Sequence, residues 1–144
     1  MISVAVFGWT IHYNTNKERK NMTIQECYQE FGGDFNEVKM RLPSEKMIEK
    51  FIAKFLDDSS FSDLRIAMEE GSRHRAFAAA HTLKGVCSNL SLNKLSLSAS
   101  KLTELLRPET EEIPTGADEL FEDVRCDYEL TVSAIRAYLD SDNK

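Results

Sequence analysis

The sequence predicts an all-α fold, an antiparallel four-helix bundle with additional short N-terminal helices. Three observations predict it. After Met22 no segment alternates apolar and polar residues with a period of two; apolar residues instead recur three and four positions apart. Each periodic run is bracketed by residues that start helices (Ser, Thr, Asn) and residues that stop them (Gly, Pro). At 144 residues, with 42% hydrophobic and 29% charged side chains, the chain has the size and composition of one globular domain. Such a domain buries enough apolar surface to fold without disulfides or metal.

The elements follow in order. From Thr23, the residues Ile24, Cys27, Tyr28 and Phe31 recur at helical spacing and stop at Gly32-Gly33. After Pro43, Ser44 is placed to cap a helix with an apolar stripe of Met47, Ile48, Phe51, Ile52, Phe55 and Leu56. Ser60, with Asp63 three residues on, reads as a capping box opening a helix through Leu64, Ala67 and Met68 to Gly71. Ser72 caps the next helix, which runs to about Leu90. Asn93 is expected to cap another, carrying Leu95, Ala99, Leu102, Leu105 and Leu106 up to Arg107-Pro108. A loop with Pro114 and Gly116 precedes the last helix, whose apolar positions are Leu120, Phe121, Val124, Tyr128, Thr131, Ile135 and Leu139. Consecutive amphipathic helices with short connections must bury their stripes on one another, which makes a bundle.

Residues 1–21 read differently, a β-prone patch followed by a polar stretch ending in Lys17-Glu18-Arg19-Lys20. They are expected to be a leader or extension outside the fold, with no role for His12, and the domain is expected over residues 22–144. The longest apolar run, Ile2–Trp9, falls well short of the roughly 20 residues that cross a bilayer. It also lacks a basic flank and a small-residue cleavage site, so neither a membrane span nor a secretory signal is expected. The chain carries 24 acidic against 18 basic residues, a net charge of −6, which argues against nucleic acid as a partner. A cytoplasmic monomer is the expectation. Cys27, Cys87 and Cys126 are far apart and form no C-x-x-C pair; all three are expected to act as small buried hydrophobes.

The stretch with chemical content runs from Arg73 to Leu90. At about 100° per residue, Ala76, Ala79, Leu83, Val86, Cys87 and Leu90 gather on the core face. His81 points the opposite way, with His74, Phe77, Ala78, Lys84, Gly85 and Ser88 around it. Gly85 in mid-helix costs about 1 kcal/mol relative to Ala, a loss that makes sense if it clears space beside the imidazole. Lys84, three residues on, sets an ammonium within reach of whatever the histidine carries. Phe77 is a large ring on a face that should be polar, which reads as a docking patch. Between Gly71 and Thr103 there is no Asp or Glu, while Arg73, Arg75, Lys84, Lys94 and Lys101 all fall there. From Glu109 to Glu129, by contrast, there are nine acidic residues and only Arg125. Positive potential is thereby expected around His81, suiting an anion or an acidic partner face. Arg73, Arg75 and His74 read as solvated or docking residues, with Ser88 and Lys101 bordering the docking surface. His74 and His81, seven residues apart, lack the four-residue spacing of a helical metal pair.

The run His81-Thr82-Leu83-Lys84-Gly85, preceded by Ala79-Ala80 and followed by Cys87 and Leu90, closely resembles the phosphoacceptor motif of histidine-containing phosphotransfer (HPt) domains. Gly32-Gly33-Asp34, the Phe51–Phe55 helix and the helix–Gly71–helix run into His81 are similar to that family too, over about residues 22–140. One departure is Ser91, where the family usually has Gly after the helix. The resemblance implies a phosphocarrier that takes a phosphoryl group on His81 from a receiver-domain aspartate and passes it to another. Lys84 would neutralise phosphoryl charge and Gly85 would leave room. The implied partners are receiver domains of response regulators or hybrid histidine kinases. The chain would bind no cofactor or metal itself, the Mg²⁺ belonging to the receiver.

No Gly-rich phosphate loop or nucleophile elbow accompanies the motif, so the chain is read as no kinase, dependent on another protein for its phosphoryl group. Two other readings remain at this point. One is a helical interaction module that never carries phosphate. The other is the phosphotransfer domain of a chemotaxis-type kinase, which shares a similar His-x-Leu/Ile-Lys-Gly motif.

Overall fold

Seven helices and no strand are found among residues 22–142, the part of the chain that the computed structural model describes. The expected leader and His12 lie outside those residues. The helices are α1 (Ile24–Phe31), α2 (Phe35–Arg41), α3 (Glu45–Phe55), α4 (Ser60–Glu70), α5 (Arg73–Asn89), α6 (Asn93–Leu106) and α7 (Ala117–Asp142). Their starts are mostly made by side-chain oxygens that accept from otherwise orphaned N–H groups. Thr23 and Glu26 form a reciprocal capping box, the Glu26 N–H donating to Thr23 Oγ1 at 3.1 Å and the Thr23 N–H to Glu26 Oε1 at 2.9 Å. Ser44 and Ser72 cap α3 and α5 as their positions predict. Gly32 and Gly71 close α1 and α4 in the left-handed region.

Three local expectations are corrected. Ser60 is the first helical residue of α4 rather than its cap: Asp58, two residues earlier, accepts from the Ser60 N–H at 2.8 Å. Asn93 is likewise inside α6, and Leu92 holds the cap position without a side-chain bond. Leu92 is fully buried and its N–H is already taken by the Cys87 carbonyl, so the α5–α6 turn sets the start of α6. The short helix α2 goes unassigned by periodicity because seven residues hold barely two turns; Asp34 caps it and Phe35 and Val38 anchor it.

Most helices adjacent in sequence are adjacent in space, whereas α3 packs on α7. α5 and α6 run antiparallel, with the Ser88 and Ser96 hydroxyls 2.8 Å apart at one end and the Arg107 guanidinium over Phe77 at the other. α4 packs on α5, α6 on α7, and α1 along α7, where the Cys27 thiol donates to the Ala134 carbonyl at 3.4 Å. Between them lies a core of Tyr28, Phe31, Ile48, Ile52, Leu64, Leu83, Leu95, Leu102 and Ile135. Phe61 stacks on Phe121 and Tyr128, and Phe55 tilts onto Tyr128, joining α3, α4 and α7. In α3 the stripe is narrower than expected: Ile48, Ile52 and Phe55 are buried, Phe51 and Leu56 half-buried, and Met47 exposed.

The cysteines divide. Cys27 and Cys87 are buried, and desolvation pushes the Cys27 thiol up to about 12 and the Cys87 thiol higher still. Cys126 is exposed, against expectation. It stands two residues from both Val124 and Tyr128, and two residues turn a helix by about 200°, which puts it opposite their inward face.

Ser91 resolves the departure after α5. It adopts φ 56°, the left-handed conformation that Gly takes most readily, and ends α5 in a Schellman turn. The Leu92 N–H donates to the Cys87 carbonyl and the Ser91 N–H to the Ser88 carbonyl. Serine is held there because its buried hydroxyl donates to Glu37 Oε1 at 2.7 Å and accepts from Arg41 Nη1 at 2.8 Å. Ser91→Ala keeps the strain and loses both bonds, so it is expected to cost about 1–3 kcal/mol. Ser91→Gly loses the same bonds but relieves about 1 kcal/mol of left-handed strain, so it should cost less than Ser91→Ala. Urea unfolding of the two variants checks the order.

Candidate functional site

α5 presents two faces because its small and large residues are segregated. Ala76, Ala79, Ala80, Leu83 and Cys87 are buried, whereas His74, Ala78, His81, Thr82, Gly85 and Ser88 are exposed. His81 therefore stands in solvent on the outer face, as the wheel predicts. Phe77, one turn earlier, lies nearly parallel to the imidazole, with an interplanar angle of 9° and ring centres 5.9 Å apart. Arg107 at the end of α6 also meets that ring, its guanidinium carbon 5.4 Å from the ring centre. Phe77 is thus half-buried and already in contact within the chain, not the open apolar patch expected.

Lys84 is half-buried beside His81 on the same helix. Gly85 has no packing purpose inside the chain, since a Cβ built there meets no atom within 4 Å. Its backbone is ordinary helix, so Gly85→Ala should stabilise the fold by about 0.5–1 kcal/mol. Thermal unfolding reads this directly.

The cluster of positive charge is largely dispersed by the fold. Arg73 is buried, and its guanidinium donates to the carbonyls of Leu105, Leu106, Arg107 and Glu112 and to Thr110 Oγ1. It closes the C-terminus of α6 and is not a docking residue. Arg75 pairs with Glu70, and Lys94 lies 3.9 Å from Asp127. Lys101 lies in the groove between α6 and α7, beside Asp123, Cys126 and Asp127, rather than on the α5 face. Lys84 alone of the five cations stays next to His81, and it forms no ion pair among the described residues.

Glu104 and Arg107 are the neighbours that sequence reasoning missed. They form a 2.8 Å ion pair one turn apart on α6. The hydrogen bond from Arg107, and then its charge, hold the Glu104 carboxyl below the usual carboxylate range, with smaller contributions from Lys84 and His81. A signal existed. Counting seven residues outward from the Ser88–Ser96 pair reaches His81 on α5 and Thr103 on α6, just where the acid-free window ends.

A family model for the Hpt domain matches residues 46–140, more than half of the chain, from the start of α3 to near the end of α7. No curated protein and no solved structure matches. The Gly32-Gly33-Asp34 turn precedes the matched region. The all-helical bundle is what such a domain requires, and among the described residues no helix is long and apolar enough to cross a membrane. The chain therefore belongs to the Hpt domain family, phosphocarriers that work by histidine phosphotransfer in phosphorelays and interact with receiver domains.

Proposed function

We propose that this chain is a phosphorelay intermediate that accepts a phosphoryl group on His81 from the aspartyl phosphate of one receiver domain and delivers it to the aspartate of another. The observation that carries this reading is the exposed imidazole of His81 on α5, within His81-Thr82-Leu83-Lys84-Gly85 and bordered by the open space at Gly85. An imidazole offers a neutral nucleophilic nitrogen near neutral pH, where a hydroxyl would first need a base. The unprotonated ring nitrogen attacks phosphorus, the P–O bond to the donor aspartate breaks, and the carboxylate leaves. Delivery to the next receiver reverses the same steps. Such a reaction asks for in-line positioning and charge neutralisation more than for further covalent chemistry. Lys84 supplies positive charge to the phosphoryl oxygens from this side. The receiver brings Mg²⁺, as the family resemblance implies.

Ala78, Ser88 and His74 complete the exposed face around His81 and are assigned to receiver contact. Gly85 sets how closely the receiver approaches. Gly85→Gln should leave helical content unchanged and slow transfer from a phosphorylated receiver by about tenfold or more, since small misplacements of reacting groups cost that much. Transfer at the wild-type rate would remove Gly85 from the approach path. The function is tested by mixing the chain with a phosphorylated receiver domain. Acid-labile, base-stable phosphate on the peptide containing His81 supports it; no such phosphate with a panel of receivers would overturn it.

A further inference from the structure

We infer that Glu104 restrains phosphoryl loading of His81 by holding Arg107 in an ion pair beside the Phe77–His81 stack, so that this one carboxylate tunes how readily the histidine takes an anion. The inference rests on the assignment of His81 as the phosphoacceptor and adds a positioning residue to it.

Four side chains from two helices form a continuous array. His81 lies against Phe77, Phe77 carries Arg107, and Arg107 is held by Glu104 through two contacts, Nη2 to Oε2 at 2.8 Å and Nε to Oε1 at 3.4 Å. Phe77 is therefore the one ring that contacts both the imidazole and the guanidinium. While Arg107 is paired, its charge is spent on Glu104. Glu104 itself adds a negative charge to the approach of an anionic donor. The Lys84 ammonium and the His81 ring both contribute to the low carboxyl affinity of Glu104 for protons, so the coupling runs across the α5–α6 groove. The array is solvent-exposed, with the Arg107 and Glu104 side chains 57% and 59% accessible, so its effect must shrink in salt.

Phosphoramidate, a small anionic donor, probes this without any receiver surface. The unprotonated nitrogen of His81 attacks phosphorus, the P–N bond of the donor breaks, and ammonia leaves. With Glu104→Gln, Arg107 is released toward the anion, and the rate of His81 phosphorylation should rise about threefold to tenfold at low ionic strength. Arg107→Gln should lower it by a similar factor, and Glu104→Asp should restore the wild-type rate. Opposite signs in the two neutralising variants, converging in about 0.5 M salt, support the inference, because a merely structural ion pair would give both variants the same sign. Equal rates in wild type and Glu104→Gln, or changes of one sign in both variants, would overturn it. If phosphorylation persists unchanged in His81→Gln, the phosphoacceptor assignment fails instead, and the two failures are told apart by that control.

Discussion

His81→Gln is expected to abolish acceptance of phosphate from a receiver while leaving the bundle folded and as stable as the wild type to within about 0.5 kcal/mol. The two halves of that expectation have separate physical grounds. His81 is exposed, and its side-chain contact is the stack on Phe77, so truncating the imidazole opens no cavity and orphans no buried polar group. Glutamine keeps a polar side chain of similar reach and good helix propensity at the same place. What it lacks is a nucleophilic nitrogen, since an amide lone pair is delocalised into its carbonyl. Single-turnover transfer from a phosphorylated receiver, read beside circular dichroism and urea unfolding, tests both halves at once. Residual transfer above about one part in a hundred would point to a second acceptor, and His74, the other described histidine on this face, is the one to examine. A variant that loses both transfer and helix would show instead that the ring supports the fold.

Much of this site is legible in the sequence because it is local. The orientation of His81, Lys84, Gly85 and Ser88 depends on one helix, and a 3.6-residue period orders one helix well. The starts of α3 and α5 were legible for the same reason: a Ser followed by a periodic run satisfies its own helix. What periodicity misread depends on partners far along the chain. Ser60 and Asn93 look like caps, yet Asp58 and the α5–α6 turn had already made those starts. Cys126 looks apolar by composition, yet its phase in α7 turns it outward. Glu104 was the most consequential miss. The acid-free window from Gly71 to Thr103 is real as a stretch of chain, but the α5–α6 hairpin folds the first acid beyond it back toward His81. A charge map drawn along the sequence counts neighbours in the wrong dimension.

Arg73 makes the same point with the largest expected effect on stability. It stands among five cations near His81 in the sequence, and only its burial distinguishes it from Arg75, two residues on. The last carbonyls of any helix lack partners within the helix. Here the orphans are Leu105, Leu106 and Arg107, where Pro108 prevents α6 from continuing. The five N–H donors of one guanidinium reach all three, and also fix the start of the following loop through Thr110 and Glu112. Arg73→Met retains the length of the stem and removes every one of these bonds, leaving carbonyls at a partly buried site. The expected cost is about 2–4 kcal/mol, from several charge-assisted bonds lost together and partners left unsatisfied. Arg75→Met, which gives up only an exposed pair with Glu70, should cost no more than about 0.5 kcal/mol. Limited proteolysis with a Glu-specific protease adds a local readout: cleavage within residues 109–116 should accelerate in Arg73→Met and not in Arg75→Met. Because Arg107 borders the Phe77–His81 stack, loosening this end of α6 should also blunt the response of His81 to Glu104→Gln. Equal stability of the two arginine variants would mean that water serves the α6 carbonyls as well as Arg73 does.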